Sequence, residues 1–192
     1  METFMSSLTR TSLSHPLRID TLTARPDWGQ IGMSFCPGKK QTNALTGAWH
    51  RDLYLDLGRI RAWGATVVLT LIEAHEFAFL EVEKLPGATI ELGMTWLHAP
   101  IPDRKAPDIR FLQEWPELSA LLIDRLAAGQ NIFIHCMGGL GRTGVVAAML
   151  LIEAEIPVDK AIKLVRQSRP HTIETSEQEA FVRNHVRSHS QD

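Results

Sequence analysis

The chain has 192 residues, 44% of them apolar, with 20 Lys and Arg against 22 Asp and Glu and a net charge of −2. That length suits one α/β domain with a real core and is too short for two. The scattered basic residues argue against a nucleic-acid surface or a polybasic membrane patch, and no apolar run reaches membrane-spanning length.

Residues 1–15 are polar, lack the continuous apolar segment of a signal peptide and read as a flexible tail ahead of one domain over 16–189. "LRIDTL" (17–22) alternates like an edge strand, and "GQIGMSF" (29–35) can pair with it. "DLYLDLGRIRAW" (52–63) has helical spacing, with Asp52 as cap and Gly64 as stop. "ATVVLTLI" (65–72) is a continuous β-branched run, as in a strand covered on both faces of a parallel sheet. Residues 73–85 read as a helix closed by Pro86-Gly87, and "MTWLHAPI" (94–101) as a strand. A helix or helix pair is expected over 108–128, jointed at Pro116 and stopped by Gly129. "NIFIHC" (131–136) is a short apolar strand, and "RTGVVAAMLLIEAE" (142–155) a helix apolar enough to be buried. Amphipathic helices follow over 157–169 and 176–189. This alternation predicts an α/β fold: a single domain with a central, mostly parallel sheet flanked by helices.

Residues 135–144, "HCMGGLGRTG", carry two motifs. Gly139, Gly141 and Gly144 spell G-x-G-x-x-G, the pattern of a dinucleotide-binding turn. That turn normally follows the first strand of its fold and needs a second strand ending in an acid about 20 residues on. Helical sequence follows here instead, and residues 145–192 are too few for the rest of a doubly wound sheet. The second motif is C-x5-R, from Cys136 to Arg142. Small, uncharged residues between them let backbone N–H groups point inward, with glycines supplying positive φ. The helix beginning near Arg142 aims its positive end at the same spot. Arg142 adds a planar fork for two phosphate oxygens. The product is a phosphate-shaped nest with a sulfur at its floor, held as a thiolate by the surrounding donors.

"HCMGGLGRTG" resembles the phosphate-binding loop of cysteine-dependent protein tyrosine and dual-specificity phosphatases, in the HC-x-GGLGR form of the kinase-associated phosphatase type. The likeness extends to "HAPIPD" upstream and "HTIETSEQEAF" downstream and covers residues 20–186 or so. It implies hydrolysis of phosphate monoesters on phosphoproteins through a phosphocysteine intermediate, with no metal and no other cofactor. Cys136 would be the nucleophile. Met137, Gly138, Gly139, Leu140, Gly141 and Arg142 would hold the phosphate. Asp103, in "PIPD", matches the family's general acid, with Asp108 as a rival on the same loop whose simpler account is a helix N-cap. Thr143 would donate to the departing sulfur, and His135 would order the loop. Gln178 falls where some relatives position water, but Thr175-x-x-Gln178 is also a capping box.

Cys36 reads as a core thiol or as a redox partner of Cys136. Two cysteines do not make a disulfide framework and suggest a reducing, cytoplasmic setting. His185 and His189, without a third ligand at zinc spacing, read as an exposed pair. The five Trp read as packing. The expected partner is a phosphorylated protein, with no nucleic acid and no membrane, and the expected state is a monomer. The single tyrosine, Tyr54, falls in a helix, which with the short chain suggests a shallow, dual-specificity-type site. An inositol phosphate or another small phosphorylated molecule is the alternative substrate. Uncharged residues 137–141 favour a single phosphate, although Arg104 and Lys105 flank Asp103. A non-catalytic phosphate-binding adaptor would be expected to lose Cys136 or Arg142, and a sulfurtransferase has no use for Asp103.

Overall fold

Three apolar runs, Gln30–Phe35 (β2), Ala65–Thr70 (β5) and Asn131–Cys136 (β7), form the middle of a five-stranded sheet in the computed structural model, which describes residues 9–44 and 47–188. With Asp20–Thr23 as β1 and Thr95–His98 as β6, the strand order is β1-β2-β7-β5-β6. Only β1 is antiparallel to its neighbour; the other pairs are parallel. The register sets Phe35 beside Cys136 and places His135 between Ser34 and Thr70. The carboxyl ends of β2, β7 and β5 therefore finish together, the usual position of a site in an open parallel sheet. A two-stranded ribbon of Lys40–Gln41 (β3) and Trp49–His50 (β4) stands beside that end.

Alternating residues of each central strand face opposite layers. Val68 and Phe133 pack with Leu57 and Ile60 of α1 (Leu53–Ala62) and Ala88 of α3 (Leu85–Glu91). Val67, Leu69, Ile132 and Ile134 belong to the larger core, built with α4 (Ile109–Ala127), α5 (Gly141–Glu153), α6 (Val158–Ser168) and α7 (Ser176–Arg183). Every residue of α5 is buried, as its apolar sequence predicts. Asp52 caps α1 by accepting from Leu55 N–H at 2.8 Å.

Several boundaries differ from the sequence reading, for definable reasons. Residues 73–85 are not one helix. α2 (Ala74–Phe79) ends, Glu81 takes φ 54°, and α3 begins at Leu85 with Pro86 and Gly87 in its first turn. Proline lacks only an N–H that is unpaired in a first turn, so Pro86 starts a helix rather than closing one. Pro116 is not a joint either. α4 runs through it because Phe111, Trp115, Ser119, Leu122 and Leu126 make one continuous buried face, and the hydrogen bond proline forgoes falls at exposed Leu112.

The last helix stops at Arg183, and the chain then folds back onto the end of α5. Glu153 Oε1 accepts from Trp115 Nε1 at 2.9 Å, His185 Nε2 at 3.1 Å and Ser188 N–H at 3.1 Å. Burial opposes the charge of Glu153, but these donors prevail and hold its carboxyl down at about 2. His185 is thus a buried partner of Glu153 rather than half of an exposed pair; His189 lies outside the described residues. Part of the expected tail is also tied down: Arg10 N–H donates to Ala48 at 2.9 Å and Arg10 C=O accepts from His50 at 3.0 Å. Residues 1–8 lie outside the described residues. Among the described residues no helix is long and apolar enough to cross a membrane.

Candidate active site

Between β7 and α5 the chain makes a tight loop around the Cys136 sulfur, which accepts from Gly139 N–H at 3.2 Å. The orientation of this loop follows from what its carbonyls do. Cys136 C=O meets His135 Nδ1 at 3.3 Å, and Met137 C=O accepts from Cys36 N–H at 3.2 Å. The carbonyls of Gly138 and Gly139 accept from the Arg169 guanidinium at 3.3 and 2.6 Å. Leu140 C=O takes the N–H groups of Gly144 and Ile173. In a trans peptide, C=O and the next N–H point opposite ways. Anchoring each carbonyl outside the loop therefore turns the following N–H inward, toward the sulfur. Gly139 adopts φ +72°, and a Cβ there would collide with the Ser34 carbonyl, so only glycine lets the loop sit this low.

Arg142 enters from the first turn of α5 and is 1% exposed. Glu76 of α2 grips it twice, at 2.7 and 2.9 Å, and Ile101 C=O accepts at 3.1 Å. Its Nη2 also donates to Asp103 Oδ1 at 2.7 Å. Burial works against the guanidinium charge, but Glu76, the Cys136 sulfur and Asp103 outweigh it and raise its pKa above the ordinary value. Asp103 itself is half exposed, at the mouth of the site. Asp108, the rival acid, caps α4 through the N–H groups of Arg110 and Phe111. The Arg110 guanidinium holds its carboxyl below the usual range.

His135 has a defined tautomer. A carbonyl can only accept, so Nδ1 carries the proton that faces Cys136 C=O. Nε2 then accepts from Thr70 Oγ1 at 2.8 Å, and that oxygen accepts from Trp96 Nε1 at 3.0 Å. Burial pushes the imidazole down to about 3, so it stays neutral at physiological pH. This has a measurable consequence. An unfolded histidine titrates near 6.5, so between pH 6.5 and 3 the unfolded chain binds one more proton, and stability falls as pH falls. From pH 7 to 5 the wild type should lose about 2 kcal/mol more than His135→Asn in denaturant unfolding. Equal losses would contradict a neutral His135.

Thr143 is buried, and among the described residues its Oγ1 has no hydrogen-bond partner; the expected bond to Cys136 is not made in this state. Gln178 forms the capping box with Thr175. Its Oε1 also accepts from Glu174 N–H at 2.9 Å, and its Nε2 donates to Lys105 C=O at 3.1 Å. It therefore ties α7 to the loop carrying Asp103. Cys36 follows the strand partner of Cys136 and is a buried free thiol, as is Cys136. Burial raises the Cys36 pKa.

The loop opens into a cavity of about 560 Å³ lined by Cys136–Gly138, Leu140–Arg142 and Asp103, with Phe35, Lys39 and Trp49 along one wall. Sequence reasoning missed Glu76, Arg169, Lys39 and Trp49. Only Glu76 left a local sign, the Glu73-x-x-Glu76 spacing of a capping box, and that box is formed.

A sulfur in a bowl of amides, beside a buried arginine and beneath a carboxylate, defines a cysteine-based phosphatase. The chain belongs to the dual-specificity and tyrosine phosphatases: residues 54–155 match the family described as "Polymorphic toxin system, DSP-PTPase phosphatase". It is similar to protein tyrosine phosphatase type IVA 3 of Bos taurus, 28% identical over 76% of this chain and 75% of the relative. It is also similar to cyclin-dependent kinase inhibitor 3 of Sus scrofa, 30% identical over 71% of this chain and 62% of the relative. Among solved structures, kinase associated phosphatase superposes with a TM-score of 0.75 at 26% identity, covering 87% of this chain and 92% of the other.

Proposed function

We propose that this phosphatase acts on phosphoproteins, with Cys136 as nucleophile and Asp103 as proton donor. The amides of residues 137–142 and the Arg142 guanidinium hold the phosphoryl oxygens. The thiolate attacks phosphorus, the S–P bond forms, and the ester P–O bond breaks as Asp103 gives its proton to the leaving oxygen. Water then attacks the phosphocysteine, Asp103 takes a proton from it, and the S–P bond breaks to release inorganic phosphate and the thiolate. Thr143, its buried hydroxyl unpartnered among the described residues, supplies a donor to the departing sulfur in this second step. His135, through Cys136 C=O, and Gln178, through Lys105 C=O, are positioning residues. The reading includes a monomeric enzyme in a reducing cytoplasm, where both thiols stay free.

The observation that carries this reading is the Asp103–Arg142 contact at 2.7 Å. In this reading the phosphate takes the guanidinium edge that Asp103 now occupies, because Nη1 is committed to Glu76 and Ile101 C=O. Phosphate binding therefore displaces Asp103 from Arg142 and frees its carboxyl to carry the proton that the leaving group needs. Asp103→Asn keeps the shape but can neither donate that proton nor repel an incoming dianion. It should lower kcat about 10²–10³-fold for phosphate esters with poor leaving groups, far less for good ones, and bind inorganic phosphate more tightly. The measurement is kcat against leaving-group pKa for both enzymes. If the dependence is unchanged in Asp103→Asn and steepens instead in Asp108→Asn, the assignment of the acid is wrong.

A further inference from the structure

The cavity above Cys136 contains a cation for which the chemistry above has no use. Lys39 is only 4% exposed, yet it lines the cavity with Phe35, Trp49 and the catalytic loop. Its ammonium lies 5.0 Å from the Phe35 ring centre and 5.4 Å from that of Trp49. Its one hydrogen bond among the described residues is a long one, 3.5 Å to Gln41 Oε1. No carboxylate pairs with it among the described residues, whereas the arginines nearby each have one. Arg142 has Glu76, Arg51 has Asp56, and Arg169 has Asp20. Asp20 is itself shared with Arg18, at 2.6 Å, so this wall of the cavity carries more positive than negative charge. Burial lowers the Lys39 pKa to about 8, against the opposing pull of the Cys36 and Cys136 sulfurs, and the neighbouring Arg51 and Arg169 charges lower it further. A buried charge without a counter-charge is costly, and an anionic ligand in the cavity would remove that cost.

The depth of Lys39 decides what can meet it. A phosphorylated side chain of a protein leaves its flanking residues at the cavity mouth, a full side-chain length above its phosphate. Lys39 is 4% exposed as a whole residue, which puts it out of their reach. The second anion must enter together with the scissile phosphate, on the same compact molecule and a few bonds away. Phe35 and Trp49, which line the cavity, supply apolar surface beside the carbon ring between them. We propose that Lys39 binds a second phosphate of the substrate, so that compact bisphosphates of the polyol, sugar or inositol type are substrates in addition to phosphoproteins. The proposal rests on Cys136 as the reacting group.

The test uses the full chain as wild type, Lys39→Met and Lys39→Arg, with p-nitrophenyl phosphate, a vicinal inositol bisphosphate and a peptide phosphorylated on both residues of Thr-x-Tyr. A fourth substrate is a phosphatidylcholine vesicle carrying the phosphatidylinositol bisphosphate with the same headgroup. The ratio of kcat/KM on bisphosphate to that on p-nitrophenyl phosphate should fall about tenfold or more in Lys39→Met and stay within about threefold in Lys39→Arg. Loss on the soluble ester marks a free bisphosphate as the substrate, and loss on the vesicle alone marks a lipid headgroup. An unchanged ratio overturns the proposal, as does a Lys39 dependence seen only with the doubly phosphorylated peptide. If the wild type does not hydrolyse p-nitrophenyl phosphate, the reading of Cys136 has failed. Calorimetric binding of the inositol bisphosphate to wild type and Lys39→Met then decides the subsite on its own.

Discussion

Cys136→Ser is expected to lower phosphate-ester turnover by at least about 10⁴-fold while leaving the affinity for inorganic phosphate within a few fold. The two quantities separate because different atoms supply them. In the proposed mechanism binding comes from inward N–H groups, whose peptides are anchored from outside by Cys36, Arg169, Gly144 and Ile173, and from Arg142, held by Glu76. None of these anchoring contacts involves the sulfur; of the inward amides, Gly139 N–H does meet it, at 3.2 Å. The chemistry needs an ionised nucleophile at the floor of the bowl, and a serine hydroxyl is not ionised there. Steady-state rates and calorimetric titration with phosphate read the two separately. Residual activity above about 1% of wild type would assign the nucleophile elsewhere.

The second large effect is expected at Glu76, a residue with no catalytic atom. Glu76→Ala removes two of the four hydrogen bonds that hold the guanidinium of Arg142, leaving those to Ile101 C=O and Asp103, and leaves that charge 1% exposed with half-exposed Asp103 as its remaining carboxylate. Breaking one side of a buried ion pair typically costs about 3–5 kcal/mol. Glu76 also receives the Glu73 N–H at 2.7 Å, so the start of α2 loosens as well. Activity should fall about 10²-fold or more, because a misaimed Arg142 loses its fork on the phosphoryl oxygens. Glu76→Gln keeps the shape and part of the hydrogen bonding, and should fall between wild type and alanine on both scales. Denaturant unfolding and the rate on p-nitrophenyl phosphate test this. A stability change in Glu76→Ala below about 1 kcal/mol would mean that Arg142 is held by other contacts.

The fold was legible wherever local chemistry dictates it. The β-branched run at β5, the apolar run at β7 and the uniformly apolar α5 could only be buried elements, and the C-x5-R spacing itself brings Cys136 and Arg142 together. Pro86 and Pro116 were misread because proline's meaning depends on position: Pro86 sits in a first turn, and Pro116 lies on a helix held straight by the face from Phe111 to Leu126. The bowl's supports were not legible. Glu76 lies 66 residues from Arg142 in the chain and Arg169 lies 30 from Gly139, and only the tertiary fold makes them neighbours. Lys39 sits in a turn and Trp49, read as packing, in a two-residue strand; both line the cavity. Thr143 shows the opposite case, a residue placed where the motif predicts but without the hydrogen bond expected of it.

The most direct test is to quench the enzyme with acid during turnover of p-nitrophenyl phosphate and map the phosphorylated residue by peptide mass spectrometry. A phosphoryl adduct on Cys136 that accumulates when water attack is slowed, and disappears in Cys136→Ser, is the predicted result. Turnover with no adduct on Cys136, or with the adduct on another side chain, would contradict it.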